Sequence, residues 1–191
     1  MNKLSKTLLL VLCAALLVTA SVMGTLAYLT SSTDPVINTF TMGNVGITLN
    51  EAKVTPYGVP DGDTRVMANT YKLIPGHTYM KDPTIHVNSL SEDCWVFMKL
   101  SNGLGNAAII NISDGWTKIA EADDGIIYAY NTILSANESS APLFSQFQFA
   151  ADAAPASFEG KTITLVGYAV QADGFDTAAK AWAASFGSDA T

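Results

Sequence analysis

The spacing of apolar residues changes three times between the two ends of this chain. No residue from Thr7 to Leu29 is charged, and the strongly apolar part of that run is residues 8–18. Two lysines, Lys3 and Lys6, precede it, and the first acidic residue is Asp34. From about residue 44 to residue 171 apolar positions recur every second residue, the period of a strand with one face buried. Near the C-terminus they recur at three- and four-residue intervals, the period of a helix.

The period-2 region predicts a succession of short strands. Pro83, Ile85 and Val87 alternate with Thr84, His86 and Asn88. Residues 94–100 are apolar on both faces except at Lys99, which predicts a central strand covered on both sides. A glycine-rich turn over 102–105 leads to a strand over 107–112. Asp123, Asp124 and Gly125 signal a turn before a strand over 126–134, where Tyr128 and Tyr130 alternate with Ala129 and Asn131. Residues 143–149 place Leu143, Phe147 and Phe149 on one face, and 162–170 set Ile163 and Leu165 against Val166, Tyr168 and Val170. Pro56, Gly58, Pro60 and Gly62 predict a loop over 56–63.

Before these strands the phase slips. Val36, Phe40 and Met42 share one parity, Val45, Ile47 and Leu49 share the other, and Gly43 sits at the change. A slip of one residue turns every side chain to the opposite face, so 28–42 and 44–51 read as separate strands with separate partners. At the far end, Asp176 reads as an N-cap, 177–186 as an alanine-rich helix and Gly187 as its stop. Ala178, Trp182 and Phe186 fall on one face of that helix, a packing stripe. Together these elements predict a mainly β protein, an antiparallel β-sandwich with one short C-terminal helix.

The N-terminal run has the order of an export signal: a basic start, an apolar middle and small residues at the exit. The expected cut follows Ala27, so that Tyr28 begins the working protein; retention of the run as a membrane anchor is the alternative. Residues 1–27 are then a signal peptide and 28–191 a single domain. Without Lys3 and Lys6 the chain's 10 basic residues fall to eight against 17 acidic ones, a net charge of −9 in place of −7. Such a domain repels phosphate backbones, which argues against nucleic-acid partners. Cys13 leaves with the signal, so Cys94 has no partner for an intrachain disulfide, and its apolar neighbours predict a buried, inert thiol.

Few residues of the chain stand in patterns that carry chemistry. His77 and His86 are separated by nine positions with no His-Glu-x-x-His helix, and they read as surface histidines. No Gly-x-Ser-x-Gly or Ser-x-x-Lys motif occurs. The acidic stretches Asp61-Gly62-Asp63 and 121–125 lack the spacing of a calcium loop that ends in a bidentate glutamate. No catalytic, cofactor-binding or metal-binding residue is predicted.

Four stretches, in order, resemble the TasA/camelysin family of exported bacterial proteins, whose signals are cut by a dedicated signal peptidase of the SipW type. They are Gly24-Thr25-Leu26-Ala27-Tyr28-Leu29-Thr30; residues 38–49, Asn-Thr-Phe-Thr-Met-Gly-Asn-Val-Gly-Ile-Thr-Leu; Leu73-Ile74-Pro75-Gly76 with Lys81-Asp82-Pro83-Thr84-Ile85-His86-Val87-Asn88 and the strand after it; and residues 162–172. The region around Trp116 and Leu143 has no evident counterpart in that family. The resemblance implies a jelly-roll-like sandwich, secretion to the cell surface or extracellular matrix, and a fibre-forming subunit of a biofilm. Its partners would be further copies of itself, related matrix subunits and the SipW-type peptidase.

In such fibres the N-terminal segment is similar to a donor strand that completes a neighbour's sheet. That role falls here on residues 28–42, with Tyr28, Val36, Ile37, Phe40 and Met42 as its apolar members. Pairing of this strand within its own domain is the alternative. Camelysin-like members are described as metal-dependent proteases, and no residues for that activity are found in this chain. A competing expectation is a monomeric cell-surface binding module with residues 52–70 and 101–125 as its ligand face.

Overall fold

The structure, a computed structural model, describes residues 3–29 and 44–187. The chain divides into two compact units, Met1–Thr41 and Met42–Thr191. In the first, helix α1 (Lys3–Leu29) is continuous through the expected cleavage point. Its side chains Leu8, Leu10 and Leu17 are exposed. Among the described residues no helix is long and apolar enough to cross a membrane.

The second unit is mainly β and entirely antiparallel in its pairings. Its elements are β1 (Ile47–Val54), β2 (Pro60–Val66), β3 (Thr78–Met80), β4 (Thr84–Val87), β5 (Cys94–Asn102), β6 (Ala108–Ile110), β7 (Trp116–Ala122), β8 (Gly125–Tyr130), β9 (Gln146–Phe149), β10 (Ile163–Gln171) and α2 (Ala178–Phe186). One sheet has the order β10-β5-β8-β7, a second β2-β1-β4, and a third β3-β9-β6. Residues 137–143 extend the second sheet beyond β4: Glu138 O accepts from Val87 N–H at 2.8 Å, and Ser140 N–H donates to Ile85 O at 2.9 Å.

The sandwich is built around β5, which is covered on both faces over residues 94–98, as its apolar run up to Lys99 predicts. Cys94, Val96, Met98 and Leu100 face Ile85 and Val87 of β4, together with Trp116, Tyr128, Leu143 and Phe144. Trp95 and Phe97 point the other way, into a layer formed with Ile127 and Ala129 and closed by Ala181 and Trp182 of α2. Full burial of a side chain such as Val96 or Met98 contributes about 1.5–3 kcal/mol. A third cluster gathers Tyr79, Phe147 and Phe149 with Leu104, and Tyr71 and Phe158 pack against it.

Several elements differ from the sequence expectation. The expected loop at 56–63 is shorter: the turn closes through Gly58 N–H to Thr55 O at 2.8 Å, and Pro60 already opens β2. Strand β2 lies at a sheet edge with its first five side chains exposed, so it carries no apolar alternation, and its proline sits at the one place an edge strand accepts it. Gly58 cannot be replaced freely, because its φ is +72° and a Cβ there would lie 2.7 Å from Tyr79 Cα. Strand β7 had no clear signature, since a bulge between Lys118 and Ala120 breaks its period. It forms a hairpin with β8 across Asp123 and Asp124.

The strand expected over 143–149 is confined to β9; Leu143 joins the inter-sheet core, whereas Phe147 and Phe149 join the third cluster. Strand β8 ends at Tyr130, short of the expected 134. The helix begins one residue later than expected, with Thr177 as its N-cap: the Thr177 hydroxyl accepts from Lys180 N–H at 3.3 Å, and Asp176 instead pairs with Lys180 Nζ at 2.9 Å. Gly187 ends the helix at φ +85°, as its composition predicts.

Candidate acceptor groove

Among the described residues, strand β10 has a partner on one side only. Gly103 N–H donates to Thr162 O at 2.9 Å and Ala172 N–H donates to Asp93 O at 2.7 Å, so hydrogen bonds toward β5 fall on the even-numbered residues. The backbone groups of Ile163, Leu165, Gly167 and Ala169 therefore point away from the sheet, along an open edge. The same odd-numbered residues aim their side chains between the two sheets.

That position should bury them, yet Ile163 and Leu165 remain only partly buried, as do Ile47 and Leu49 of β1 across from them. One strand further in, Val96 and Met98 of β5 are 0% exposed. Among the described residues, the sandwich is thus open along the seam between β1 and β10. Strand β2 does not close it, because β2 pairs with β1 only from Glu51 onward, so among the described strands residues 47–50 pair with β4 alone.

The seam forms a groove of about 1180 Å³. Its apolar walls include Ile47, Leu49, Leu73, Phe158, Ile163 and Leu165. A volume beyond the ~300–1,000 Å³ of typical small-molecule sites suits an extended peptide better than a compact ligand. Five residues of β10, 163–167, run along it. Long, apolar, unpaired edges are normally blunted by charge or proline, and β10 carries neither.

One end of the groove is polar and internally satisfied. Glu51 and Lys81 are buried, and Lys81 Nζ donates to Glu51 Oε2. Asn69 Nδ2 donates to Glu51 Oε1 at 2.9 Å and to Ala52 O at 2.9 Å, and Asn69 Oδ1 accepts from Val54 N–H at 3.0 Å. Arg65 reaches Asp82 Oδ2 at 2.9 Å, Asp82 O at 3.0 Å and Asn50 O at 3.1 Å. Asp82 Oδ1 in turn accepts from Ala52 N–H at 2.6 Å. Burial first, then the charges of Glu51 and Asp82, hold the Tyr71 phenol well above its ordinary range, so it stays a neutral donor to Met80 O at 3.1 Å.

Glu51, Arg65 and Asn69 stand in no motif of the sequence, and Lys81 and Asp82 stand in one only as part of a family-like stretch with no role assigned. A signal existed: Glu51 continues the apolar parity of Ile47 and Leu49, and Lys81 that of Pro83 and Ile85, so each puts a charge where the period demands an apolar residue. Of the residues that were singled out, Ala27 and Tyr28 lie in the last turn of α1, and Val36, Ile37, Phe40 and Met42 lie outside the described residues. Gly43, at the expected phase slip, lies outside them as well. Cys94 is fully buried, and burial pushes its thiol up.

His77 Nε2 lies 2.9 Å from Tyr57 O, with its ring edge-on to Tyr79. His86 bridges Ser139 Oγ and Asn50 Oδ1 at 2.7 and 2.9 Å. The acidic turns are engaged by lysines, Asp61 with Lys53 at 2.8 Å and Asp124 with Lys99 at 2.7 Å. Among the described residues no three His, Cys, Asp or Glu side chains converge as a metal ion requires. The segments 52–70 and 101–125 are not a pair of loops: the first contains the end of β1 and all of β2, the second β6 and β7. Residues 65–70 nevertheless contribute to the groove.

No protein-family model, no curated protein and no solved structure matches this chain.

Proposed function

We propose that this chain is an exported, fibre-forming subunit similar to the TasA/camelysin family, and that residues 28–42 of one copy fill the groove between β1 and β10 of the next. The observation that carries this reading is the open edge of β10 beside half-buried Ile47, Leu49, Ile163 and Leu165. An added strand supplies backbone partners to Leu165 and Gly167 and covers the apolar walls in one step.

Val36, Phe40 and Met42 share a parity, so one face of an extended 28–42 segment presents all three to the groove while Ile37 points outward. A contact between the N-terminal segment of one copy and a groove on another is head-to-tail. It does not close on itself and so propagates a filament. Export through a SipW-type signal peptidase with cleavage after Ala27 would free Tyr28 to begin the donor strand. Such a protein acts by assembly in the extracellular matrix rather than by turning over a substrate.

Electron microscopy of the secreted protein beginning at Tyr28 tests the reading. Fibres are expected from the full-length mature chain. A chain starting at Asn44 should keep its far-UV signature of β structure, form no fibres and bind a synthetic 28–42 peptide. A mature protein that stays monomeric at millimolar concentration overturns the proposal. So does a chain from Asn44 that polymerises unaided.

A further inference from the structure

The polar end of the groove holds an arrangement of three side chains that an ion pair alone does not require. Glu51 is 4% exposed and Lys81 8%. A single carboxylate bridges two different groups: its Oε2 accepts from Lys81 Nζ and its Oε1 from Asn69 Nδ2 at 2.9 Å. The Asn69 carboxamide is held at each of its polar atoms, with Nδ2 also bonded to Ala52 O and Oδ1 accepting from Val54 N–H at 3.0 Å. A buried primary amine, a carboxamide polarised by a backbone N–H, and a carboxyl group touching both are the components of amide exchange. Amine nucleophile, general acid–base and oxyanion donor are all in place.

We propose that Lys81 and Asn69 become joined by an intramolecular amide bond, with Glu51 as the catalytic residue. In the first step the Lys81 ammonium gives a proton to Glu51, which turns a buried charged pair into a neutral amine and a neutral acid. The Nζ lone pair then adds to Asn69 Cγ, and the developing negative charge on Oδ1 is met by Val54 N–H. Glu51 delivers its proton to Nδ2 and takes a second from Nζ, so that it ends as the neutral acid. The Cγ–Nδ2 bond breaks, one ammonia leaves, and Nζ–Cγ becomes an amide. No oxidant, reductant or further reactant is needed. Glu51, Asn69 and Lys81 all line the groove, so ammonia has a way out.

The linkage would fasten the β1 bulge, which Asn69 spans from Ala52 to Val54, to the segment entering β4. It does not depend on whether the chain forms fibres, and its test is separate from theirs.

Peptide mapping by mass spectrometry of the secreted full chain, digested with trypsin after denaturation, decides the matter. Trypsin cuts after Arg65, Lys72 and Lys99 but not after an acylated Lys81. The expected product is segment 66–72 joined to segment 73–99, lighter by one ammonia. Glu51→Gln keeps the shape of the side chain but cannot pass the proton, and it should give free 66–72, 73–81 and 82–99. Free peptides with the Asn69 amide intact in the wild-type chain overturn the proposal, whatever any variant does. A linked product that persists in Glu51→Gln overturns the role assigned to Glu51.

Discussion

His86 fills two hydrogen bonds with one neutral ring. Its Nδ1 accepts from the Ser139 hydroxyl while Nε2–H donates to Asn50 Oδ1, an assignment that fits Arg65 also donating to that oxygen. Burial, then the nearby Arg65 charge, lowers its pKa from the ordinary 6.5, although Asp82 pulls weakly the other way. A histidine whose folded pKa lies below its unfolded value resists protonation in the fold. Its contribution to stability is therefore complete above pH 6.5 and is lost as the pH falls through that value toward the folded pKa. The urea midpoint should fall as acid is added below pH 6.5, and His86→Gln should flatten that dependence. A wild-type midpoint that stays level through this range would remove the argument. At the same scale, the charges that the alternating pattern leaves unexplained, Glu51 in β1 and Lys81 between β3 and β4, are buried partners of each other.

At the scale of elements, β5, β10 and α2 were legible because their partners impose a simple period. Strand β5 is covered on both faces and reads as a continuous apolar run; β10 is covered unequally and alternates. Helix α2 shows its stripe because Trp182 touches three aromatic rings: Phe97 at 5.1 Å, Tyr168 at 5.3 Å and Phe186 at 4.5 Å between centroids. Trp182→Ala should destabilise the domain by about 2 kcal/mol, below the ~3–5 kcal/mol of a fully buried aromatic because Trp182 is only partly covered. Thermal or urea unfolding measures this; a loss under ~0.5 kcal/mol would mean that α2 does not seal the outer face of β5.

Strands β2 and β7 were not legible, and for different reasons. Strand β2 is an exposed edge with no face to bury, and β7 carries a bulge that shifts its period midway. Their places are fixed by pairing with β1 and β8, contacts that a local pattern does not record.

For the whole molecule, the decisive feature is where sheet pairing stops. Three sheets share one domain, and among the described residues the sandwich stays open between β1 and β10. Leu165→Lys places a charge inside the groove while leaving the β5 side of β10 untouched, the device by which sheet proteins block edge-to-edge association. The mature variant should keep the β signature and monomeric fold of the chain from Asn44 but sediment as monomer where the wild type forms fibres. Fibres of undiminished yield would place the contact elsewhere.

The chain's own order of residues is enough to mark the basic, apolar start, the succession of antiparallel strands, the closing helix and the buried setting of Cys94. Each follows from a local rule, since side-chain period, cap residues and turn residues act over a few positions. Local rules do not say which strands become neighbours or which edge is left without one. The open side of β10, the half-covered walls at Ile47 and Leu165, and the meeting of Glu51, Asn69 and Lys81 depend on contacts between residues far apart in the chain. The fold brings these distant residues together around the inter-sheet core at β5, and among the described residues the seam beside β1 is left open.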